Sequence, residues 1–222
     1  MLLFSLYLII FFVFTIILGI YLIRYKKIKI PQSNQLYTEA LNAMVLGNDL
    51  LAIKLLRRVV KDDTEHIRAY LQLGNIVRNK HPSQALKIHQ SLTIRPNLIK
   101  TIRIDIHQAL AMDYKALDNI KFARIEAEKI LKLEKKNLWS IRFLLDIDEK
   151  EKEWDNAIKW IKKIQKITGK YEKHDIAKFE ALKGKEKYLD DKLDEAEVIF
   201  KRVIKNFPDL AISYYYLGNL YE

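Results

Sequence analysis

The stretch GKEKYLDDKLDEAEVIFKRVIKNFP, residues 184–208, decides the fold predicted for this chain. A glycine opens it, an alanine follows 12 residues later, a phenylalanine lies four residues beyond the alanine, and a proline closes it. Proline lacks the N–H that a helix interior needs, so Pro208 predicts the end of a helix. Two antiparallel helices approach closely only where neither presents a large side chain, and Gly184 and Ala196 meet that condition. The stretch therefore predicts two helices that pack together at these residues.

The same spacing recurs along the chain. A leading residue, usually small, is followed by an alanine 11 or 12 residues later. The pairs are Ala40 with Ala52, Gly74 with Ala85, Ala111 with Ala123, Leu145 with Ala157, and Gly184 with Ala196. Successive leading residues lie 34 to 39 residues apart, and extra residues between some units lengthen helices or linkers.

A period of 34 residues with paired small residues is typical of tetratricopeptide repeats. The sequence thus predicts an all-α protein in which residues 33–222 form an α-solenoid of tetratricopeptide helix pairs. Its units are predicted to start near residues 33, 67, 104, 138, 177 and 211. The sixth unit, around Gly218, has a first helix and no second one. This predicts a fragment or a truncated gene product, with self-capping by the last helix as the alternative.

The N-terminus predicts a membrane anchor. Residues 2–23 are 22 consecutive uncharged positions, and a helix of that length spans about 33 Å, enough for a bilayer core. A buried soluble helix is the alternative. A basic stem follows the apolar run and consists of Arg24, Lys26, Lys27 and Lys29. Positive charge on this side predicts that the repeats face the cytoplasm, with residues 1–30 as a single-pass anchor that contacts membrane lipid.

Motifs for catalysis or cofactor binding are missing from the sequence. The chain has no cysteine, its five histidines share no ligand spacing, and no nucleotide-binding or hydrolase motif is found. We therefore expect a protein that is not an enzyme and has no metal or cofactor. The net charge is +11, but four of these charges belong to the stem and aromatic residues do not alternate with the basic ones, so nucleic-acid binding is not expected.

Two groups of polar residues have structural interpretations. His89 occupies a position where the second helix of a repeat usually has a bulky apolar side chain, and we expect a hydrogen-bonded histidine between helices. Five acidic residues alternate with lysines and are interpreted as a solvated helix end: Asp146, Asp148, Glu149, Glu151 and Glu153.

The functional candidate is the concave face, which positions 2, 5, 9 and 12 of each first helix line in such solenoids. The candidate residues of a peptide-binding groove are Arg68, Leu71, Asn75, Arg78, Met112, Lys115, Trp139 and Arg142. The basic side chains would hold an acidic or amidated peptide through charge-assisted hydrogen bonds, and Met112 and Trp139 would be apolar anchors. An ordinary solvated face is the alternative.

Particular segments point to a family. The segment Leu73-Gly74-Asn75-Ile76-Val77-Arg78 and the later Ile88-His89-Gln90-Ser91-Leu92, preceded by an anchor and a basic stem, resemble the bacterial lipopolysaccharide assembly protein B family. The segments Leu110-Ala111-Met112-Asp113-Tyr114 and Glu153-Trp154-Asp155-Asn156-Ala157-Ile158 are also similar to it. The resemblance runs along the whole chain but matches only the N-terminal part of the family's length.

The resemblance implies a bacterial inner-membrane adaptor whose repeats face the cytoplasm. Such an adaptor presents the deacetylase of lipid A synthesis to a membrane-bound AAA+ protease and so limits lipopolysaccharide production. The family also ends in a zinc module with two cysteine pairs, from which this cysteine-free sequence departs. A generic inner-membrane tetratricopeptide scaffold for envelope assembly or secretion is the alternative function.

Overall fold

The computed structural model describes residue 7 and residues 12–18, 32–171 and 173–222. Residues 12–18 are helical, and none of the helices in these ranges combines the length and hydropathy that crossing a bilayer requires. Most of the predicted span at residues 2–23, and the whole basic stem of Arg24, Lys26, Lys27 and Lys29, lie outside the described residues.

From residue 32 onward the described chain is a succession of helices joined by short turns. In chain order they are α1 Gln32–Val45, α2 Asp49–Asp62, α3 Ile67–Val77, α4 Pro82–Thr93, α5 Lys100–Ala116, α6 Ile120–Leu133, α7 Leu138–Lys150, α8 Trp154–Thr168, α9 Lys173–Leu189, α10 Leu193–Asn206 and α11 Ala211–Asn219. Odd-numbered helices are the first helices of the repeats and even-numbered helices the second ones.

The chain divides into two compact units, residues 1–69 and residues 70–222. In the first unit, α1 packs against α2. In the second, successive helices from α4 to α11 pack on one another. This arrangement of stacked helix pairs confirms the predicted α-solenoid.

The helix bounds relate simply to the predicted repeat starts. Helices α3, α7 and α11 begin at residues 67, 138 and 211, and α1 begins at residue 32. Helices α5 and α9 begin at residues 100 and 173, four residues before the starts predicted for their units. The extra residues between those units thus extend the first helix by one turn.

The small residues lie where helices cross. All five following alanines have no solvent exposure: Ala52, Ala85, Ala123, Ala157 and Ala196. A Cβ atom on Gly74 would lie 2.3 Å from Nε2 of His89, and one on Gly184 would lie 2.7 Å from Cε1 of Phe200. The two glycines therefore allow a contact that any larger residue would push apart.

One turn conformation recurs between paired helices. Gly47, Asp118, Lys152 and Asp191 all have positive φ, between 57° and 71°, and each lies seven residues after its leading residue. A left-handed residue reverses the chain tightly after a helix. The second repeat is one residue shorter at this point, and the α3–α4 turn has no such residue.

Candidate peptide-binding surface

Three of the eight predicted groove residues line one open cleft. Arg78, Met112 and Lys115 border a cavity of about 380 Å³, together with Asn79, Pro82 and Ala116. The cleft lies where the end of α3 and the start of α4 meet the C-terminal part of α5. The first-helix spacing thus brings a basic pair and one apolar side chain together.

Arg78 is held by its own chain. Its Nε lies 2.6 Å from Oδ1 of Asp113, and its Nη2 donates hydrogen bonds to Oδ1 of Asn75 at 2.7 Å and to the carbonyl oxygen of Ala109 at 3.3 Å. Its side chain is only 14% exposed. Most of the donor capacity of the guanidinium is therefore used inside the solenoid.

Asp113 is the centre of a buried ionic group, which we call the first joint: Arg78, His89 and Asp113. Asp113 and His89 have no solvent exposure, and His89 Nδ1 lies 2.5 Å from Asp113 Oδ2. His89 Nε2 lies 3.2 Å from the carbonyl oxygen of Leu71. Both ring nitrogens thus have an acceptor, which confirms the prediction of a hydrogen-bonded histidine between helices.

The prediction for Leu71 is wrong, because this residue is buried with 5% exposure and its side chain cannot line an open groove. Sequence reasoning also missed Asp113 as a core residue. A signal existed in the spacing: Arg78 and His89 each lie four residues after a small residue, Gly74 and Ala85, at a helix crossing. The structure places both side chains against Asp113 in the contact between repeats.

A second joint follows one repeat later and consists of Arg124, Asp148 and Trp160. Asp148 is fully buried; Trp160 Nε1 donates a hydrogen bond to its Oδ2 at 2.6 Å. Arg124 Nη2 lies 2.6 Å from Oδ1, close enough for an ion pair but without hydrogen-bond alignment, and donates to Oε2 of Glu151 at 2.5 Å. The pKa of Arg124 is raised: burial alone would lower it, but the two carboxylates outweigh burial.

The interpretation of the acidic run as a solvated helix end is therefore wrong for Asp148. Its neighbours Glu149, Glu151 and Glu153 are exposed, as expected. Asp148 differs because it lies on the side of α7 that packs against α6 and α8, where Arg124 and Trp160 partner its carboxylate. A run of charges along a helix covers all its faces, so one member reaches the interior.

Lys115 is also paired across repeats. Its Nζ lies 2.5 Å from Oδ2 of Asp146 on α7, and it lies over the ring of Phe143 at 5.2 Å. The pKa of Asp146 is lowered: partial burial would raise it, but Lys115 and Lys150 stabilise the charged form more strongly. This pair fixes the position of Lys115 at the cleft.

The remaining candidates are the more accessible ones. Arg142 is exposed, and no ion pair is found for it among residues 32–171 and 173–222. Met112 is 37% exposed, and Trp139 is half-buried with its ring stacked on Phe143 at 4.9 Å. Arg68 is exposed at the start of α3 and belongs to the first unit, whereas the other candidates belong to the second.

Solved structures identify the class. A tetratricopeptide repeat protein from Parabacteroides merdae superposes with a TM-score of 0.57 at 18% identity, over 85% of this chain and 72% of that one. YrrB, described as a TPR protein with an unusual peptide-binding site, superposes with a TM-score of 0.54 at 13% identity, over 89% of this chain and 95% of that one. The chain is a tetratricopeptide-repeat protein by fold. No protein-family model matches it.

Curated relatives add a name to the class. The chain is 25% identical to lipopolysaccharide assembly protein B of Escherichia coli K12 over 167 residues, which cover 75% of this chain and 43% of that protein. It is 30% identical to the Haemophilus influenzae protein of the same name over 125 residues, 54% of this chain and 31% of that protein. The resemblance to lipopolysaccharide assembly protein B is confirmed, and the chain spans less than half the length of these relatives.

Proposed function

We propose that this chain is the repeat region of a non-catalytic adaptor that regulates lipopolysaccharide synthesis by bringing the lipid A deacetylase to a membrane AAA+ protease. The observation that carries the proposal is the cleft of Arg78, Met112 and Lys115 on a tetratricopeptide solenoid that is similar to lipopolysaccharide assembly protein B. Such solenoids expose extended surfaces to which other proteins bind.

Ion pairs between repeats support binding because they order the basic side chains at the cleft. Arg78 and Lys115 are each held against a carboxylate of the next first helix, at 2.6 and 2.5 Å. A side chain that is already ordered loses little conformational entropy when a partner binds. In this proposal the ordered Arg78 and Lys115 define the cleft. The accessible Arg142 and Met112 contact the client, which displaces the water around them.

The anchor completes the proposed mechanism. Residues 1–30 would hold the repeats on the cytoplasmic side of the inner membrane, where the protease is also confined. Confinement to one surface raises the effective concentration of client and protease without any new contact. The client is then selected by the groove and delivered by proximity, and the chain itself needs no catalytic group.

The groove is tested by reversing its accessible charge. Full-length protein with Arg142→Glu should bind the purified deacetylase about 10- to 100-fold more weakly, because a charged hydrogen-bonding contact contributes roughly 1–3 kcal/mol. Lys121→Glu, a charge reversal at another exposed residue, on the second helix α6, is the matched control and should leave binding unchanged. Equal effects of the two variants would reject the groove.

The pathway is tested separately in cells. Deleting the full-length gene should raise the level of the deacetylase. A gene copy that lacks residues 1–30 should produce a folded protein but should fail to bring the deacetylase back to its original level. Deacetylase levels that do not respond to the deletion would reject the lipopolysaccharide role. The generic scaffold for envelope assembly or secretion would then be the function that the repeats support.

A further inference from the structure

The turn between α1 and α2 exposes four large apolar side chains. Val45 and Leu46 precede the turn residue Gly47 with 86% and 82% exposure. Leu50 and Leu51 follow it with 78% and 43% exposure. The hairpin does not need them for its own packing, because its buried apolar residues are Leu36, Ala40, Ala43, Ala52, Leu56 and Val59.

A basic stripe continues from this apolar tip along α2. Leu50, Lys54, Arg57 and Lys61 are spaced by four, three and four residues, so they lie on one side of the helix. The three basic residues are exposed, and so is the neighbouring Arg58, which lies 3.7 Å from Asp62. The stripe extends about 17 Å from Leu50 to Lys61 at the rise of an α-helix.

The fourth repeat has no such combination. At the positions that match Val45, Leu46, Leu50 and Leu51, the fourth repeat has Lys150, Glu151, Asp155 and Asn156. Helix α8 carries lysines on one side, Lys159, Lys162, Lys163 and Lys166, but its turn from α7 is polar. The first hairpin therefore combines an apolar tip with a basic stripe, whereas the fourth repeat has the lysines without the tip.

We propose that the apolar tip and basic stripe of the first unit dock on an anionic lipid bilayer. The tip protrudes at a turn, so its side chains can enter the boundary between head groups and acyl chains, as the apolar side of an interfacial helix does. The stripe then lies along the anionic surface, where each lysine or arginine adds attraction. The proposal concerns the first unit alone and stands whether or not the groove binds the deacetylase.

The lack of cysteine in the sequence allows a direct test in the full chain. Leu46→Cys is labelled with an environment-sensitive fluorophore, and the protein is mixed with phosphatidylcholine vesicles that contain about 25% phosphatidylglycerol. The emission should shift to the blue and should be quenched by brominated lipid. The matched control is Ile94→Cys. Ile94 follows α4 in the second unit and is 84% exposed, and a label at this position should keep the emission of an aqueous environment.

Removing the charges of the basic stripe distinguishes docking through the stripe from a general attraction between the protein's net charge and the vesicle. The triple variant K54Q/R57Q/K61Q should bind the vesicles about fivefold more weakly for each charge removed, and should therefore lose most of the lipid quenching at position 46. K159Q/K162Q/K166Q removes the same charge from α8 and should leave the quenching unchanged. All substituted side chains are exposed, and circular dichroism checks that the helices persist.

Three results would overturn the proposal. One is equal loss of quenching in the two triple variants, since the contact would then depend on net charge alone. Another is an equal signal in vesicles of pure phosphatidylcholine, because the stripe would then contribute nothing. The third is a blue shift without lipid that grows with protein concentration, which would assign the tip to a second copy of the chain.

Discussion

The two joints of the second unit both bury an aspartate between repeats, but they satisfy its charge differently. Asp113 has a partner on each oxygen, Arg78 on one and His89 on the other. Asp148 has a well-aligned donor only on Oδ2, from Trp160, while Arg124 shares its charge with Glu151. In the first joint Arg78 and His89 thus share a single carboxylate, whereas in the second joint the cation has another carboxylate, Glu151, available to it.

The largest expected effect is loss of the first joint's carboxylate. Asp113→Ala should lower the free energy of unfolding by about 3–5 kcal/mol, because it leaves a buried histidine and a mostly buried arginine without their shared partner. Asp148→Ala should cost less, about 1–3 kcal/mol, since Arg124 keeps Glu151. Urea denaturation measures both, and a larger loss for Asp148→Ala would contradict the comparison.

Packing between the joints should matter to an intermediate degree. Ala123, beside Arg124, is fully buried at a helix crossing. Ala123→Leu should overpack this crossing and lower stability by about 1–3 kcal/mol. Lys121→Leu, two residues away and exposed, should change stability by no more than roughly 0.5 kcal/mol. Thermal melting of the two variants measures this difference. Equal shifts in melting temperature would argue against the repeat register.

The role of Trp160 in the second joint can be isolated. Trp160→Phe keeps the aromatic packing but removes the aligned donor to Asp148 Oδ2, so stability should fall by about 1–2 kcal/mol. In the background of Asp148→Ala the same change should have little further effect, because the hydrogen bond is already absent. Additive effects in this double-mutant cycle would show that Trp160 acts through packing instead.

The smallest effect is expected at a third carboxylate that is paired but not fully enclosed. Glu126 lies 2.7 Å from both His107 Nδ1 and Lys129 Nζ. Its pKa is lowered from the ordinary value of 4.5, because these partners outweigh the burial that would raise it. The stabilisation is therefore present above pH 4.5 and is lost as the pH falls through the lower folded-state pKa.

Glu126→Gln tests that dependence. Because the amide does not titrate, the variant should be less stable at neutral pH and should lose less stability than the native chain between neutral pH and acid pH. Melting temperatures across this range measure the difference. If the melting temperatures of the two proteins fall in parallel as the pH is lowered, Glu126 makes no contribution to the loss of stability in acid.

Much of the fold was predictable, because it depends on spacing. The alanines at 11 or 12 residues from a leading residue predicted the crossings, and all five are buried. The site was less predictable because charge pairing depends on which side of a helix meets its neighbour. Arg78 and Lys115 were predicted as groove cations, and the structure places both in pairs between repeats. The spacing from a small residue predicts where a side chain lies along its own helix. Which charge it pairs with depends also on the residues of the neighbouring repeat.

The buried pairs also bear on how the solenoid unfolds. In a linear array each repeat contacts only its neighbours, so cooperativity depends on the coupling at each interface. Ionic groups such as Arg78, His89 and Asp113 are stable only when two adjacent repeats are folded together. The folding of one repeat therefore depends on the folding of the next. Where such coupling is strong, the array melts as one block rather than fraying repeat by repeat. We therefore expect the repeats of the second unit to unfold as a single cooperative segment, coupled by charges that pair between them.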